Sequence, residues 1–183
     1  MRVAVTGTPG TGKTTATELL SSRLSDPEAE SDATSLGLEV IHLNAVLEEE
    51  GLYTGVDADR ESKVADLEAI GEWLEGRDDV VIESHLAHHV DADRIAVLRC
   101  EPETLEERLL ERGETPAKAT ENAESEALDV ILSEAVTEHG LDSVYEIDTT
   151  DRDPEAVADA LEAVVTGERE PSAGEVDFVG YLA

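Results

Sequence analysis

Apolar and polar positions along the chain fall into two alternating periods. Short runs rich in Val, Ile and Leu at RVAVT (2–6), LEVIH (38–42), DVVIES (79–84), RIAVLRC (94–100) and SVYEID (143–148) predict five strands. Between them, apolar residues recur at helical spacing, as at Ala16, Leu19, Leu20 and Leu24, and predict helices over 13–25, 43–50, 59–75, 102–112, 117–138 and 153–165. Pro102 and Pro154 fall near helix starts, where a missing N–H does no harm. Strands alternating with amphipathic helices predict an α/β fold built on a parallel sheet. The acidic, Ser-rich stretch from Ser25 to Gly37 is expected to be a surface insertion. The residues after Gly167 are expected to form a mobile tail, although VDFVGYLA is apolar enough to dock. No internal repeat is present.

Composition narrows the picture. A chain of 183 residues suits one domain, and with only 3% aromatic residues its core must be Val, Leu, Ile and Ala. No apolar stretch approaches the roughly 20 residues of a membrane span. The first strand begins at Arg2, which leaves no room for a signal peptide, and the lone Cys100 excludes an internal disulfide; a reducing cytoplasm is expected. The net charge of −32 arises from 45 acidic residues against 13 basic ones. A hydrophobic content of 40% with clear periodicity argues against disorder. The charge is read as adaptation to a very salty cytoplasm, where a Debye length of roughly 3 Å mutes self-repulsion. Nucleic-acid binding driven by phosphate contacts is not expected. The places where lysine and arginine persist become informative.

The segment GTPGTGKTT, Gly7 to Thr15, has the spacing G-x-x-x-x-G-K-T and stands between the first strand and the first helix. Gly7, Gly10 and Gly12 allow positive φ angles, so successive N–H groups can turn inward as an anion nest. The following helix adds its N-terminal dipole. Lys13 would reach the β- and γ-phosphates and the Thr14 hydroxyl would ligate Mg²⁺. A glycine-rich turn that merely carries a lysine is the bland alternative, and the strand–helix context disfavours it.

VVIESH ends an apolar run in Glu83, followed by Ser84 and His85. A buried strand finishing in a carboxylate beside a phosphate loop has the Walker B arrangement, in which the acid holds the metal's water shell or orients a nucleophile. The alternative is a first solvated residue after a strand. His85 could orient water or stabilise a phosphate. His88 and His89 are expected to be exposed; no cysteine is near and no second ligand cluster of recognised spacing accompanies them, so a zinc site is not expected. His42 and His139 carry no functional expectation.

Arg99, Arg108 and Arg112 occur in an otherwise acidic stretch. Arg108 and Arg112 are i, i+4 and project from one helix face, as a lid over a transferring phosphate requires, and Gly113 gives the chain freedom to turn. Salt bridging within the helix to Glu107, Glu111 or Glu114 is the alternative.

These pieces, in this order, resemble the small adenylate kinase-like P-loop proteins, the isoenzyme-six branch of archaea and eukaryotic nuclei. The resemblance rests on GTPGTGKTT, on LRC…LEERLLERG, on TENAESEALDVILSEA and on IESH, set against an Asp-x-His element in the family; it covers most of residues 1–165. It implies a three-layer P-loop NTPase fold with a parallel sheet over residues 1–166. A monophosphate-binding arm would run over about 42–64, including Asn44, Tyr53, Asp57 and Asp59, with a short lid over about 111–121. It implies that Gly10, Gly12, Lys13, Thr14 and Thr15 bind ATP, that Arg112 is the lid arginine, and that Thr149 and Thr150 lie near the base. Family members transfer phosphate from ATP to AMP and related monophosphates with Mg²⁺, hydrolyse ATP, and assist small-ribosomal-subunit maturation through a platform ribosomal protein. Two departures stand out. Glu83 replaces the family's Asp and reaches one methylene further. NAVLEEEGLY has Glu where relatives place a basic residue, which weakens phosphate capture in the arm unless Arg60 or Arg99 compensates.

Three functions follow as expectations: a nucleoside monophosphate kinase, an ATP-driven assembly factor, and a small-metabolite kinase on the same scaffold, since sequence reads acceptor sites poorly.

Overall fold

The computed structural model describes residues 1–25, 36–57 and 62–183. Five parallel strands form the central sheet: β1 (Arg2–Thr6), β2 (Glu39–His42), β5 (Val80–Glu83), β6 (Arg94–Arg99) and β7 (Val144–Asp148), in the order β2-β5-β1-β6-β7. The helices are α1 (Lys13–Ser25), α2 (Leu43–Glu50), α3 (Leu67–Leu74), α4 (Pro102–Glu111), α5 (Pro116–Ala127), α6 (Val130–His139) and α7 (Pro154–Thr166). This is the expected α/β fold. Alternation along β1 separates two cores: Val3 and Val5 face Ala16, Leu20, Val157 and Leu161 of α1 and α7, whereas Ala4 faces Leu47, Ile70, Leu74 and Leu132 of α2, α3 and α6. Helices therefore cover both faces of the sheet, as a parallel sheet requires.

Two of the expected helices differ. A strand pair, β3 (Tyr53–Asp57) and β4 (Ser62–Ala65), runs antiparallel where the pattern predicts a helix from residue 59. The helix starts only at Leu67, because the Asp66 carboxylate accepts the Ala69 N–H at 3.0 Å and so caps it there. The helix predicted over 117–138 is two helices. Asp129 breaks it with φ 54°, and its carboxylate accepts from the buried Arg99 guanidinium. Positions 26–35 of the expected insertion, and Asp59 and Arg60 of the expected arm, lie outside the described residues.

The tail, expected to be mobile, lies against the body. Ser172 N donates to Val144 O at 3.0 Å, Glu175 N donates to Glu146 Oε2 at 2.7 Å, and the Tyr181 hydroxyl donates to Glu106 at 3.2 Å. Phe178 covers the Arg99 guanidinium at 5.4 Å. The buried Glu146 carboxylate helps hold the returning chain, one oxygen taking the Arg99 guanidinium and the other the amides of Glu175 and Val176.

Candidate active site

The chain leaves β1 toward β2 on one side of the sheet and leaves the adjacent β6 toward β7 on the other, and the crevice beyond the strand ends at such a switch is where open α/β sheets hold ligands. Gly7, Gly10 and Gly12 there have φ of 140°, 95° and 88°. A Cβ on Gly7 would lie 2.4 Å from the Leu98 carbonyl oxygen, and one on Gly10 would lie 2.8 Å from Leu105 Cδ1. A Cβ on Gly12, which lines the cavity, would meet nothing within 4 Å. Close packing of Gly10 on Leu105 and Leu109 seats α4 beside the loop, which carries Arg108 and Arg112 to its rim.

Gly10, Gly12, Lys13, Thr14, Thr15, Glu83, His85, Arg108, Arg112 and Thr149 all line one cavity of about 660 Å³. Residues far apart in sequence thus meet at the sheet's carboxyl edge. Lys13 is buried, with Nζ 2.8 Å from Gly7 O and 3.0 Å from Thr8 O. Burial pushes its ammonium down to about 8, with the Glu83 and Glu126 charges opposing. The Thr14 hydroxyl lies 3.4 Å from Glu83 Oε1. Parallel register pairs Val5 with Glu83 and His42 with Glu83, so the carboxylate emerges between the ends of β1 and β2. Glu83 is 5% exposed and is not a solvated strand end. His85 is lowered to about 4, first by burial and then by the Lys13 charge, and is neutral at physiological pH.

The two candidate lid arginines differ. Arg108 Nη2 donates to Thr149 O at 3.1 Å and to Thr150 O at 2.8 Å, so it braces the loop between β7 and α7. Its Nη1 lies 3.3 Å from Cys100 Sγ, a buried thiol raised to about 11 and therefore not a thiolate. Among the described residues Arg112 forms no ion pair, and it lines the cavity with Glu111. Gly113, with φ 88°, turns the chain between α4 and α5. Thr149 is buried, its hydroxyl 3.0 Å from Thr11 O and 2.9 Å from Arg99 O, which ties β6 and β7 to the phosphate loop. Thr150 turns away, bonding the Asp148 carboxylate.

A family profile described as an AAA domain matches residues 3–129. The chain is 62% identical over 182 residues to a protein of Natronomonas pharaonis named "Putative adenylate kinase", with 100% of each chain covered. A namesake of Halobacterium salinarum is 58% identical, again with 100% of each chain covered. One of Methanocaldococcus jannaschii is 37% identical over 97% of this chain and 93% of its own. The chain belongs to the adenylate kinase-like P-loop family. The first two relatives come from halophilic archaea. A gluconokinase from Sinorhizobium meliloti 1021 shares the fold, with TM-score 0.51 and 18% identity over 91% of this chain and 92% of that one. The relatives' names and the P-loop kinase fold support a phosphotransferase of the nucleoside monophosphate kinase type.

Within this adenylate kinase-like chain, sequence reasoning overlooked several contributors. His42 Nδ1 lies 2.9 Å from Glu83 Oε2. Its position at the end of the predicted strand LEVIH was the available signal. Arg152 and Val157, also unforeseen, line the cavity, and so does Asn44 of the expected arm, which accepts from Ser84 Oγ at 2.8 Å. Arg99, suggested as a compensating phosphate binder, is instead fully buried and bonded to Glu126, Asp129 and Glu146. It is unavailable to a ligand because an unpaired guanidinium there would carry a prohibitive desolvation cost. Glu126 also accepts from Thr8 of the phosphate loop. His88, expected to be exposed, is 1% exposed and bonds Thr6 Oγ1 at 2.9 Å. Tyr53 faces Glu48 and Lys63 rather than the cavity.

Proposed function

We propose that this protein transfers the γ-phosphoryl group of ATP to a nucleoside monophosphate, AMP first among them, and hydrolyses ATP when no acceptor is seated. The bond from the γ-phosphorus to the β,γ-bridging oxygen breaks as one forms to an acceptor phosphate oxygen, or to water. The carrying observation is the meeting of Lys13, Thr14, Glu83 and Arg112 in one cavity at a phosphate loop with open space beside Gly12.

The donor set fits the cofactors. Thr14 Oγ1 and Glu83 Oε1 are hard oxygen donors 3.4 Å apart, near the ~3 Å edge of an octahedron with Mg–O bonds of about 2.1 Å. Mg²⁺, when bound, would neutralise phosphate charge and fix the β- and γ-oxygens. The loop amides and Lys13 would grip the triphosphate. Arg112 would stabilise charge on the moving group, and the turn at Gly113 would let the α4–α5 segment close and exclude water. Glu83 would hold the metal's water shell, and neutral His85 would donate or accept a hydrogen bond without adding charge. Arg108 would fix the base-covering loop from which Thr149 reaches the phosphate loop.

A second reading is favoured by one observation. The cavity's cations are Lys13, Arg108, Arg112 and Arg152; among the described residues the arm contributes none. Lys63 of the arm is engaged with Glu48 at 2.6 Å. An ATP-driven assembly factor, in which the acidic arm grips a basic small-subunit platform ribosomal protein, suits this asymmetry. The net charge of −32 suits a high-salt archaeal cytoplasm in either case.

A coupled ADP assay with ATP, AMP and Mg²⁺ in molar KCl separates the readings. ADP formation well above the ATP-only rate, and its loss in Lys13→Ala, supports the kinase. Turnover indifferent to AMP but raised by the ribosomal protein supports the assembly factor and overturns the kinase.

A further inference from the structure

The turn after β5 and the facing helix α6 carry a second group of ligating side chains, none of which lines the cavity. One ring nitrogen of His88, one of His89 and a carboxylate oxygen of Glu134 lie within 4.8 Å of one another. The two rings stand 4.0 Å apart between centroids and are tilted by 43°. His88 Nε2 is 3.0 Å from Glu134 Oε2, and its Nδ1 is 2.9 Å from the Thr6 hydroxyl. His89 Nδ1 is 2.7 Å from Glu138 Oε1. His89, donating from Nδ1 to the Glu138 carboxylate, presents the lone pair of its other nitrogen, and His88, donating from Nδ1 to the Thr6 hydroxyl, presents that of Nε2, which is the orienting arrangement found behind metal-bound imidazoles.

The supports come from two elements. Glu134 and Glu138 are i, i+4 on α6 and so share the face turned to the histidines. His139 Nε2 donates to His88 O at 2.6 Å and holds the turn against the same helix. The His88 side chain is buried, while those of His89 and Glu134 are 22% and 47% exposed, so the cluster is fixed at its base and open to solvent at its mouth.

We propose that His88, His89 and Glu134 bind one divalent first-row transition ion of the Zn²⁺, Ni²⁺ or Cu²⁺ class, with the remaining coordination position open to water. Two imidazoles and one carboxylate make a nitrogen-rich donor set that discriminates against Mg²⁺, which prefers oxygen. The ion takes the place of the proton that His88 Nε2 otherwise shares with Glu134. It clips α6 to the turn that follows Glu83, across 46 residues of sequence. Through His88 and Thr6 the clip adjoins the residue before Gly7. The proposal does not depend on which acceptor the active site uses.

The test uses the tag-free full chain, stripped with a chelator and dialysed into molar KCl with millimolar Mg²⁺ to saturate unspecific acidic sites. Titration calorimetry with ZnCl₂ is expected to show one ion per chain, and Zn²⁺ to raise Tm. Co²⁺ is expected to give the intense visible absorption of a low-coordinate nitrogen site. His89→Ala and Glu134→Gln, chosen because both side chains are partly exposed, should each weaken Zn²⁺ by at least ~10-fold and abolish the Tm rise while leaving zinc-free ATP turnover unchanged. Zinc affinity equal in wild type and both variants, no saturable binding, or the pale spectrum of octahedral Co²⁺ overturns the site.

Discussion

His42 Nδ1 and Glu83 Oε2 stand 2.9 Å apart, which leaves Glu83 Oε1 facing the Thr14 hydroxyl. The Glu83 side chain has several free torsions, and the imidazole restrains them. Glu83→Gln should lower kcat on the order of 10²-fold, the typical loss when one preorganised charge contact is removed. His42→Ala should act through Glu83, raising the Mg²⁺ concentration for half-maximal rate roughly 10-fold with the ATP dependence little changed. Rate measurements across a Mg²⁺ series check both, and His42→Ala with an unaltered Mg²⁺ requirement would remove His42 from the site.

ATP binding should take up protons near pH 8. The free Lys13 ammonium titrates at about 8 because it is buried, and triphosphate beside it favours the charged form. At pH 6 Lys13 is already protonated and uptake vanishes; above pH 8 ATP affinity should fall up to ~10-fold per pH step of one. Calorimetry in buffers of different ionisation enthalpy reads the proton count. Lys13→Ala should lose the uptake together with at least ~10²-fold in turnover.

Acid should destabilise the fold through His85. Its folded value of about 4 lies below the ordinary 6.5, so between those values the unfolded chain binds more protons. Stability is therefore full above pH 6.5, falls as pH drops toward 4, and loses no more below it. The loss from this one group is about 3 kcal/mol at most. Chemical denaturation from pH 7 to 4 should be flatter in His85→Gln than in wild type.

Two of the loop glycines should separate stability from binding. Gly7→Ala drives a methyl against the Leu98 carbonyl and should cost roughly 3 kcal/mol or more. Gly12→Ala meets no atom and should cost only the ~1–2 kcal/mol of its left-handed backbone, yet it puts a methyl on the loop that lines the cavity and should weaken ATP strongly. Thermal melts with and without ATP distinguish the two.

The parts of the fold that follow local rules were readable in advance. The five sheet strands are apolar runs, the phosphate loop has fixed spacing, and the site residues chosen from motifs converge on one cavity. Features set by tertiary partners were not readable. The strands Tyr53–Asp57 and Ser62–Ala65 exist because they pair with each other, and the helix break at Asp129 exists because Arg99 takes its carboxylate. His42 and Glu126 look like ordinary polar residues until the register of β2 and the approach of α5 give them their partners. His88 lies in a short turn with no periodic signal, and only the packing of β1 and α6 against that turn buries it.

Several of the few arginines hold backbone carbonyls. Arg2 donates to Leu74 O and Arg77 O, Arg94 to Val164 O and Val165 O, and Arg108 to Thr149 O and Thr150 O. Bonds of this kind act over hydrogen-bond length and lie partly out of solvent, so dissolved ions scarcely reach them, whereas exposed ion pairs fade as the Debye length shrinks. The fastenings at the ends of α7 and β7 are thus little affected by ionic strength, while salt weakens the exposed ion pairs and the repulsion of the acidic exterior alike.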